Sequence, residues 1–299
     1  MKQRDKSPGR IQARAKPTTT RPSSARIGAS AFAPGEYVRV VPLHQPKPSV
    51  PVVDLARQRD LDGREVFDGK PAPASPKVRL TYRGGPLLQA AEVFTIFWGG
   101  TWGTTPSSTA LIERLNKFFA DILVSPLIDQ LEEYGVPARA IGHGSLVGTR
   151  VIRVGAPRGS VTDSALQSQL KRWLGSNLVP KLTRNTLYFI YLEPGIVSVM
   201  GGARSCQSYC GYHNNIGRAY YAVMPYPTCS GCLGGLSTFD ALTGTSSHEL
   251  CEAITDPVPG SGWYDDVNGE IGDICAWSFK QVAGYTVQLE WSNRQGRCA

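Results

Sequence analysis

The sequence predicts an α/β (α+β) domain, a mixed sheet with packed helices, following a disordered N-terminal arm. Three observations carry this. Beyond residue 77, apolar runs of strand length alternate with longer amphipathic stretches. One late stretch, 237–257, begins and ends with helix signals and carries its polar groups on one side. Residues 1–76, by contrast, are rich in Pro, Ser, Thr, Lys and Arg and lack any apolar periodicity that could build a core.

The arm also dominates the charge. The chain of 299 residues carries a formal net charge of +8. Residues 1–30 hold eight Lys or Arg against the single acid Asp5, a net +7, which leaves +1 for everything after. A short, unpatterned basic tail reads as a disordered arm, and a near-neutral folded part is not expected to bind nucleic acid. Pro42, Pro46, Pro48, Pro51, Pro71, Pro73 and Pro76 punctuate the rest of the arm, where His44 also lies. No apolar run suited to a standard signal peptide follows the basic start, and no stretch is apolar enough for a transmembrane helix. Residues 77–299 are therefore expected to fold as one domain.

Its elements follow in order. Val78–Tyr82 and Glu92–Trp98 read as strands, the second apolar enough to be buried on both faces, with Gly99-Gly100 ending it. Leu111, Leu115, Phe118 and Ile122 recur at helical spacing after the start signal Pro106-Ser107-Ser108, and a short helix should follow Pro126. The segment 142–145, with His143 between glycines, reads as a turn. Thr149–Val154 is a strand, Thr162–Leu174 an amphipathic helix, and Leu187–Leu192, Ala219–Met224 and Thr286–Trp291 are further strands.

The chemistry concentrates in residues 246–257, SSHELCEAITDP. Ser237 to Asp240 resembles a capping box, and Asp256 before Pro257 should end the helix. His248 and Glu252 are four residues apart and stack on one helical face, with Glu249 rotated by roughly 100°. This is the geometry of a zinc hydrolase helix with a carboxylate in place of the second histidine. On a helical wheel Phe239, Leu242, Leu250, Ala253 and Ile254 fall on the opposite side, so the ligand face is expected to open on a cleft. A strand, a loop and then a metal-bearing helix on a sheet is also the zincin order. A catalytic zinc needs a third protein ligand. The next loop, 262–275, offers Asp273 first and Glu270 second, with Asp265 and Asp266 of the same loop and the earlier His213 behind them.

Seven cysteines lie in the last third of the chain. Cys206, Cys210, Cys229 and Cys232 have the look of a four-thiolate structural zinc site, or form disulfides, with Cys275 and Cys298 pairing separately. Disulfides are preferred because loops rich in Gly, Tyr and Ser suit stapled surface segments, and Cys251 is then the odd thiol. Trp98, Trp102 and Trp291 are expected to pack, whereas Trp263 and Tyr264 lie beside the proposed site and are candidates for substrate contact.

Five ordered blocks resemble the exordium-like, phosphate-induced protein family: TYRGGPLL at 81–88 with FTIFWGGTW at 94–102, SCQSYCGYH at 205–213, YAVMPYPTCSGC at 221–232, HELCEAITDP at 248–257, and GWYDD with GEIGDIC at 262–275. The second cysteine pair is spaced more tightly than is usual in that family, and some plant relatives lack the histidine matching His248. The resemblance implies an extracellular or cell-envelope setting, but no settled chemistry. From the residues themselves the leading expectation is a zinc-dependent hydrolase acting on peptides or proteins. His248 and Glu252 with Asp273 or Glu270 would hold Zn2+, and Glu249 would be the general base. Such a first shell is more anionic than one with a second histidine. It should bind the cation well but weaken its Lewis acidity, as suits a slow or narrowly specific enzyme. The rival is a non-catalytic secreted or surface protein in which Asp265, Asp266, Glu270 and Asp273 hold a structural Ca2+, or no ion. A thiol enzyme based on Cys251 is the third alternative, lacking an orienting partner.

Overall fold

In the computed structural model, which describes residues 40–43 and 78–299, six strands form the central sheet. They are β1 (Val40–Pro42), β2 (Ala90–Trp98), β3 (Gly142–Ile152), β4 (Thr186–Leu192), β5 (Tyr209–Ile216) and β6 (Ala219–Met224). Their spatial order is β1-β5-β6-β4-β2-β3. β3, β2, β4 and β6 run parallel, β5 is antiparallel to β6, and β1 is antiparallel to β5. The sheet is mixed, as expected.

Parallel neighbours need crossover connections, and the helices supply them. α1 (Pro106–Ile122) and α2 (Pro126–Leu131) lie between β2 and β3, and α3 (Asp163–Gly175) between β3 and β4. α4 (Thr238–Thr255) follows β6. Thr105, Thr162 and Ser237 cap α1, α3 and α4 by accepting a backbone N–H of the first turn. The expected capping box at Ser237 is half formed. Asp240 accepts the Ser237 hydroxyl at 2.6 Å instead of reaching the cap's backbone.

Strand alternation sorts side chains into two cores. Val93 and Phe97 of β2, Phe189 and Tyr191 of β4 and Met224 of β6 pack with Leu115, Phe118 and Phe119 of α1 and Leu250 of α4. Phe94, Ile96 and Trp98, Tyr188, Ile190 and Leu192, and Val223 pack with Leu166, Leu170 and Trp173 of α3. Burial on both faces is why β2 and β4 read as nearly continuous apolar runs.

The structure corrects five expectations. β3 begins at Gly142, so the segment holding His143 is strand and not turn. It is the sheet's edge, where half-exposed residues leave no apolar run, and Gly144 is required because a Cβ there would lie 2.3 Å from the Ala91 carbonyl oxygen. β5 forms where no strand is expected, since Cys210, Gly211, His213, Asn214 and Asn215 mask its period. Only Thr81–Tyr82 of the first expected strand pairs, with Trp263–Tyr264. The last splits into Tyr285–Gln288, which forms a hairpin with Phe279–Val282, and Trp291–Ser292, which pairs with Arg297–Cys298. Within the expected disordered arm, Val40–Pro42 forms β1, and the remaining residues of the arm except Leu43, including His44, lie outside the described residues.

Three disulfides join Cys206–Cys229, Cys210–Cys232 and Cys275–Cys298, and Cys251 is the free thiol among the described residues. The four central cysteines are thus paired and do not form a four-thiolate zinc site. Disulfides of this kind belong to proteins that mature in oxidising compartments. No helix among the described residues is long and apolar enough to cross a membrane. Cys210–Cys232 ties β5 to the turn of helix at Ser230–Leu233. Replacing both by Ser should lower stability by about 3 kcal/mol, read as a fall in the denaturant midpoint with a slope that rises as the unfolded chain expands.

Candidate metal centre

α4 carries the His-Glu-x-x-Glu block, but its ligand face does not open on a cleft. Every residue from Ala241 to Thr255 is buried. One side of the helix lies on β5 and β6, and the other is covered by the 279–288 hairpin. There Gln288 donates its N–H to Ser247 Oγ at 2.9 Å and Thr243 Oγ1 donates to the Thr286 carbonyl at 2.8 Å. The amphipathic wheel was correct about which residues share a side. It could not show that both sides are covered.

Small residues let the layers close. Gly211 on β5 faces α4, where a Cβ would lie 2.6 Å from Thr245 Cγ2 and 3.5 Å from Glu249 Oε1. His213 is two residues further on the same face. Its Nε2 lies 3.2 Å from the Asp256 carbonyl oxygen, an acceptor only, so Nε2 carries a proton. Nδ1 then points at the carboxylates, 3.0 Å from Glu249 Oε2 and 3.5 Å from Glu252 Oε2. A histidine tied to a backbone carbonyl through one nitrogen, with the other aimed at acids, is held as a metal ligand is held. Glu270 Oε1 lies behind the ring, 3.5 Å from Nε2.

On the other side of Glu252, Oε1 is 2.9 Å from His248 Nε2 and accepts the Asp273 N–H at 3.2 Å. The first of these contacts is close but not aligned as a hydrogen bond, and neither nitrogen of His248 has a hydrogen-bond partner. The same holds for Glu249 Oε1, Glu252 Oε2 and both Glu270 oxygens, all buried. Apart from Cys206, Cys229 and Cys232, which are tied up in disulfides, two donor sets form among the described residues, His213 with Glu249 and Glu252, and His248 with Glu252 and Asp273. Each set's donor atoms lie within 4.8 Å of one another. Orphaned buried donors of these types, two imidazoles and several carboxylates converging on one place, fit a divalent cation.

The electrostatics agree. Burial alone would lower both histidines. The charge of Glu270 and the contacts with Glu249 and Glu252 push His213 well above the usual imidazole range, and Glu252 does the same for His248. Burial would raise Glu252, yet the charges of His248 and His213 hold it at about 2. Burial, reinforced by the charge of Glu252, raises Glu249, and burial with the charges of Glu252, Asp256 and Asp273 raises Glu270 well above the carboxylate range. Protons balance the cluster in this way, and a bound cation must displace them.

Of the residues singled out from sequence, His248, Glu249, Glu252, Glu270 and Asp273 come together. His213, ranked behind them, belongs at the centre. Asp265 and Asp266 do not join. Asp265 accepts the N–H groups of Arg79, Val267 and Asn268, and Asp266 pairs with Arg83 at the surface. The oxygen-only calcium set therefore does not assemble. Tyr264 is buried beneath the Arg83 guanidinium, 4.4 Å from the ring centre, and cannot meet substrate in this form. Trp263 is half-buried, donating its indole N–H to the Tyr134 carbonyl at 2.6 Å. The Asp256 carboxylate accepts the N–H groups of Gly260, Ser261 and Gly262 and pins the loop that leads to Trp263. Glu290, fully buried with both oxygens unpartnered, escaped notice in the sequence because an isolated Glu beside Trp291 carries no pattern. Burial raises the Cys251 thiol well above its ordinary range, which removes it as a thiolate nucleophile.

No family model matches the chain, and a search of curated proteins finds no match.

Gly272 packs against the His248 ring, where a Cβ would lie 2.8 Å from Nδ1. Gly272→Ala should displace the imidazole and weaken metal binding by about tenfold or more while the far-ultraviolet dichroism stays native, measured by calorimetric titration with Zn2+.

Proposed function

We propose that this chain is a zinc-dependent hydrolase of the His-Glu-x-x-Glu type, with peptide bonds as its substrate class. The observation that carries it is the convergence of the buried His248 and Glu252 with the half-buried Asp273, with Glu249 next to His248 on the same helix. Two imidazoles in the cluster favour zinc over calcium, which prefers oxygen alone. The order strand, loop and ligand-bearing helix packed on a mixed sheet, here β6 and then α4, is that of zincins and supports the same reading. The block order along the chain supports placing it as an exordium-like relative with its ligand helix intact. The three disulfides favour an extracellular or cell-envelope setting.

When bound, a zinc ion supplies Lewis acidity and makes water easier to deprotonate. The chain's residues do the rest. His248, Glu252 and Asp273 hold the cation. Glu249 keeps Oε2 on His213 and leaves Oε1 without a partner, free to take a proton from water and pass it to a leaving amine. Burial raises the proton affinity of Glu249, which suits a group that takes up and then releases a proton. Exclusion of bulk water strengthens each of these interactions, and opening of the cover over α4 admits substrate.

A second reading is favoured by one observation, the complete burial of His248, Glu249, Glu252 and Glu270. An ion in so closed a place can serve the fold alone. In that case chelation lowers the melting temperature and no peptide is cut.

Glu249→Gln separates the two. On the hydrolase reading, turnover of a casein or mixed-peptide substrate falls by about a hundredfold or more, while the protein still retains zinc by elemental analysis. Undetectable turnover in the zinc-loaded wild-type protein would assign the ion to structure.

A further inference from the structure

Glu252 has one histidine on each of its two oxygens. Oε1 is 2.9 Å from His248 Nε2, and Oε2 is 3.5 Å from His213 Nδ1. The oxygens of a carboxylate diverge, so the imidazoles approach it from different sides. Each brings its own acid. Glu249 Oε2 is 3.0 Å from His213 Nδ1, and Asp273 completes the set with His248. No set of mutually close donors contains both histidines. One ion therefore cannot take both.

We infer that the buried cluster is a two-ion centre bridged by Glu252, with one divalent cation on His248, Glu252 and Asp273 and a second on His213, Glu252 and Glu249. Three further observations support it. The separations of 3.0 and 3.5 Å among His213 Nδ1, Glu249 Oε2 and Glu252 Oε2 are those of atoms about 2 Å from a common centre. The His213 side is built as a ligand side, since Nε2–H is held by the Asp256 carbonyl with Glu270 behind it. Glu252 Oε2 is buried and without a hydrogen-bond partner, so the second position has an orphaned donor of its own. A carboxylate bridge sets two ions about 3.5–4 Å apart, the spacing of two-metal hydrolytic sites. Mixed imidazole and carboxylate donors suit zinc, cobalt or manganese.

The inference rests on the cluster being a metal centre, and it deepens the hydrolase reading. With the second ion bound, Glu249 serves it through Oε2 and keeps Oε1 for the proton.

The test is stoichiometry on the full chain. Protein stripped with a chelator is titrated with Zn2+ and weighed by native mass spectrometry, and a second sample loaded with Mn2+ is examined by electron paramagnetic resonance. Two equivalents and an exchange-coupled manganese pair are expected for the wild-type chain. His213→Ala and the milder His213→Gln should each bind one equivalent with an uncoupled signal, and His248→Ala should do the same from the other side. Thermal melting checks that each variant folds, and the wild-type count needs no variant. A single equivalent in the wild-type chain, unchanged by loss of His213, overturns the inference. Hydrolysis with one equivalent leaves the hydrolase reading standing without it. Two equivalents without hydrolysis uphold the two-ion centre and sink the hydrolase. No metal at all sinks both.

Discussion

Removing carboxylates from water is the constraint around which this structure is organised. His213, His248, Glu249, Glu252 and Glu270 are all buried between α4 and β5, with Asp273 beside them half-exposed. An unpartnered buried polar atom costs about 1–3 kcal/mol, and a charged one more. The cluster holds six buried atoms without a hydrogen-bond partner, of which His248 Nε2, Glu252 Oε2 and Glu270 Oε1 have only an ion-pair neighbour. A fold of ordinary stability does not carry that many unless a counter-charge, protons or a cation, is provided. The surrounding elements bring that counter-charge close. Gly211 and Gly272 let a strand and a loop approach the helix at distances no side chain would permit, and the 279–288 hairpin closes the outer side.

That closure depends on a rigid frame. β4 and β6 are buried on both faces, so the sheet that carries His213 through its β5–β6 pairing cannot slip by one residue without turning its core outward. The disulfides fasten the parts that have least core. Cys210–Cys232 holds β5 near its start, three residues before His213, and Cys275–Cys298 fastens the loop just beyond Asp273 to the last strand. Asp256 ends α4 and holds the next loop through three backbone N–H groups, while its own carbonyl sets the proton on His213. One residue thus links the helix terminus to the ligand geometry.

The same closure shapes what chemistry can follow. A sealed, anionic pocket binds a divalent cation strongly and shields it from water, which suits a structural ion as well as a reaction that waits for an opening step. Glu252 in place of a second imidazole adds charge at the metal and lowers its Lewis acidity. A second cation, as proposed, would restore that acidity, and Glu252 would then be a bridge rather than a weak substitute.

Much of this was legible in the chain. The spacing of His248, Glu249 and Glu252 is local, and helical geometry turns four residues of separation into one turn of rise whatever else the chain does. The apolar runs of β2, β4 and β6 and the caps at Ser237 and Thr162 are local signals too. Asp273 and Glu270 were recognisable as acids close downstream. The place of His213 was not legible, because β5 lies in a run of Cys, Gly, Tyr and Asn without alternation and meets α4 only through the sheet. Nor was the burial of the ligand face, since a helical wheel records which residues share a side and not what covers it. The sequence alone determined the donor types and their order on the helix, because those follow from backbone geometry over one or two turns. Only the tertiary structure decided that two histidines flank one carboxylate out of reach of water, because that depends on contacts between residues 36 or more positions apart.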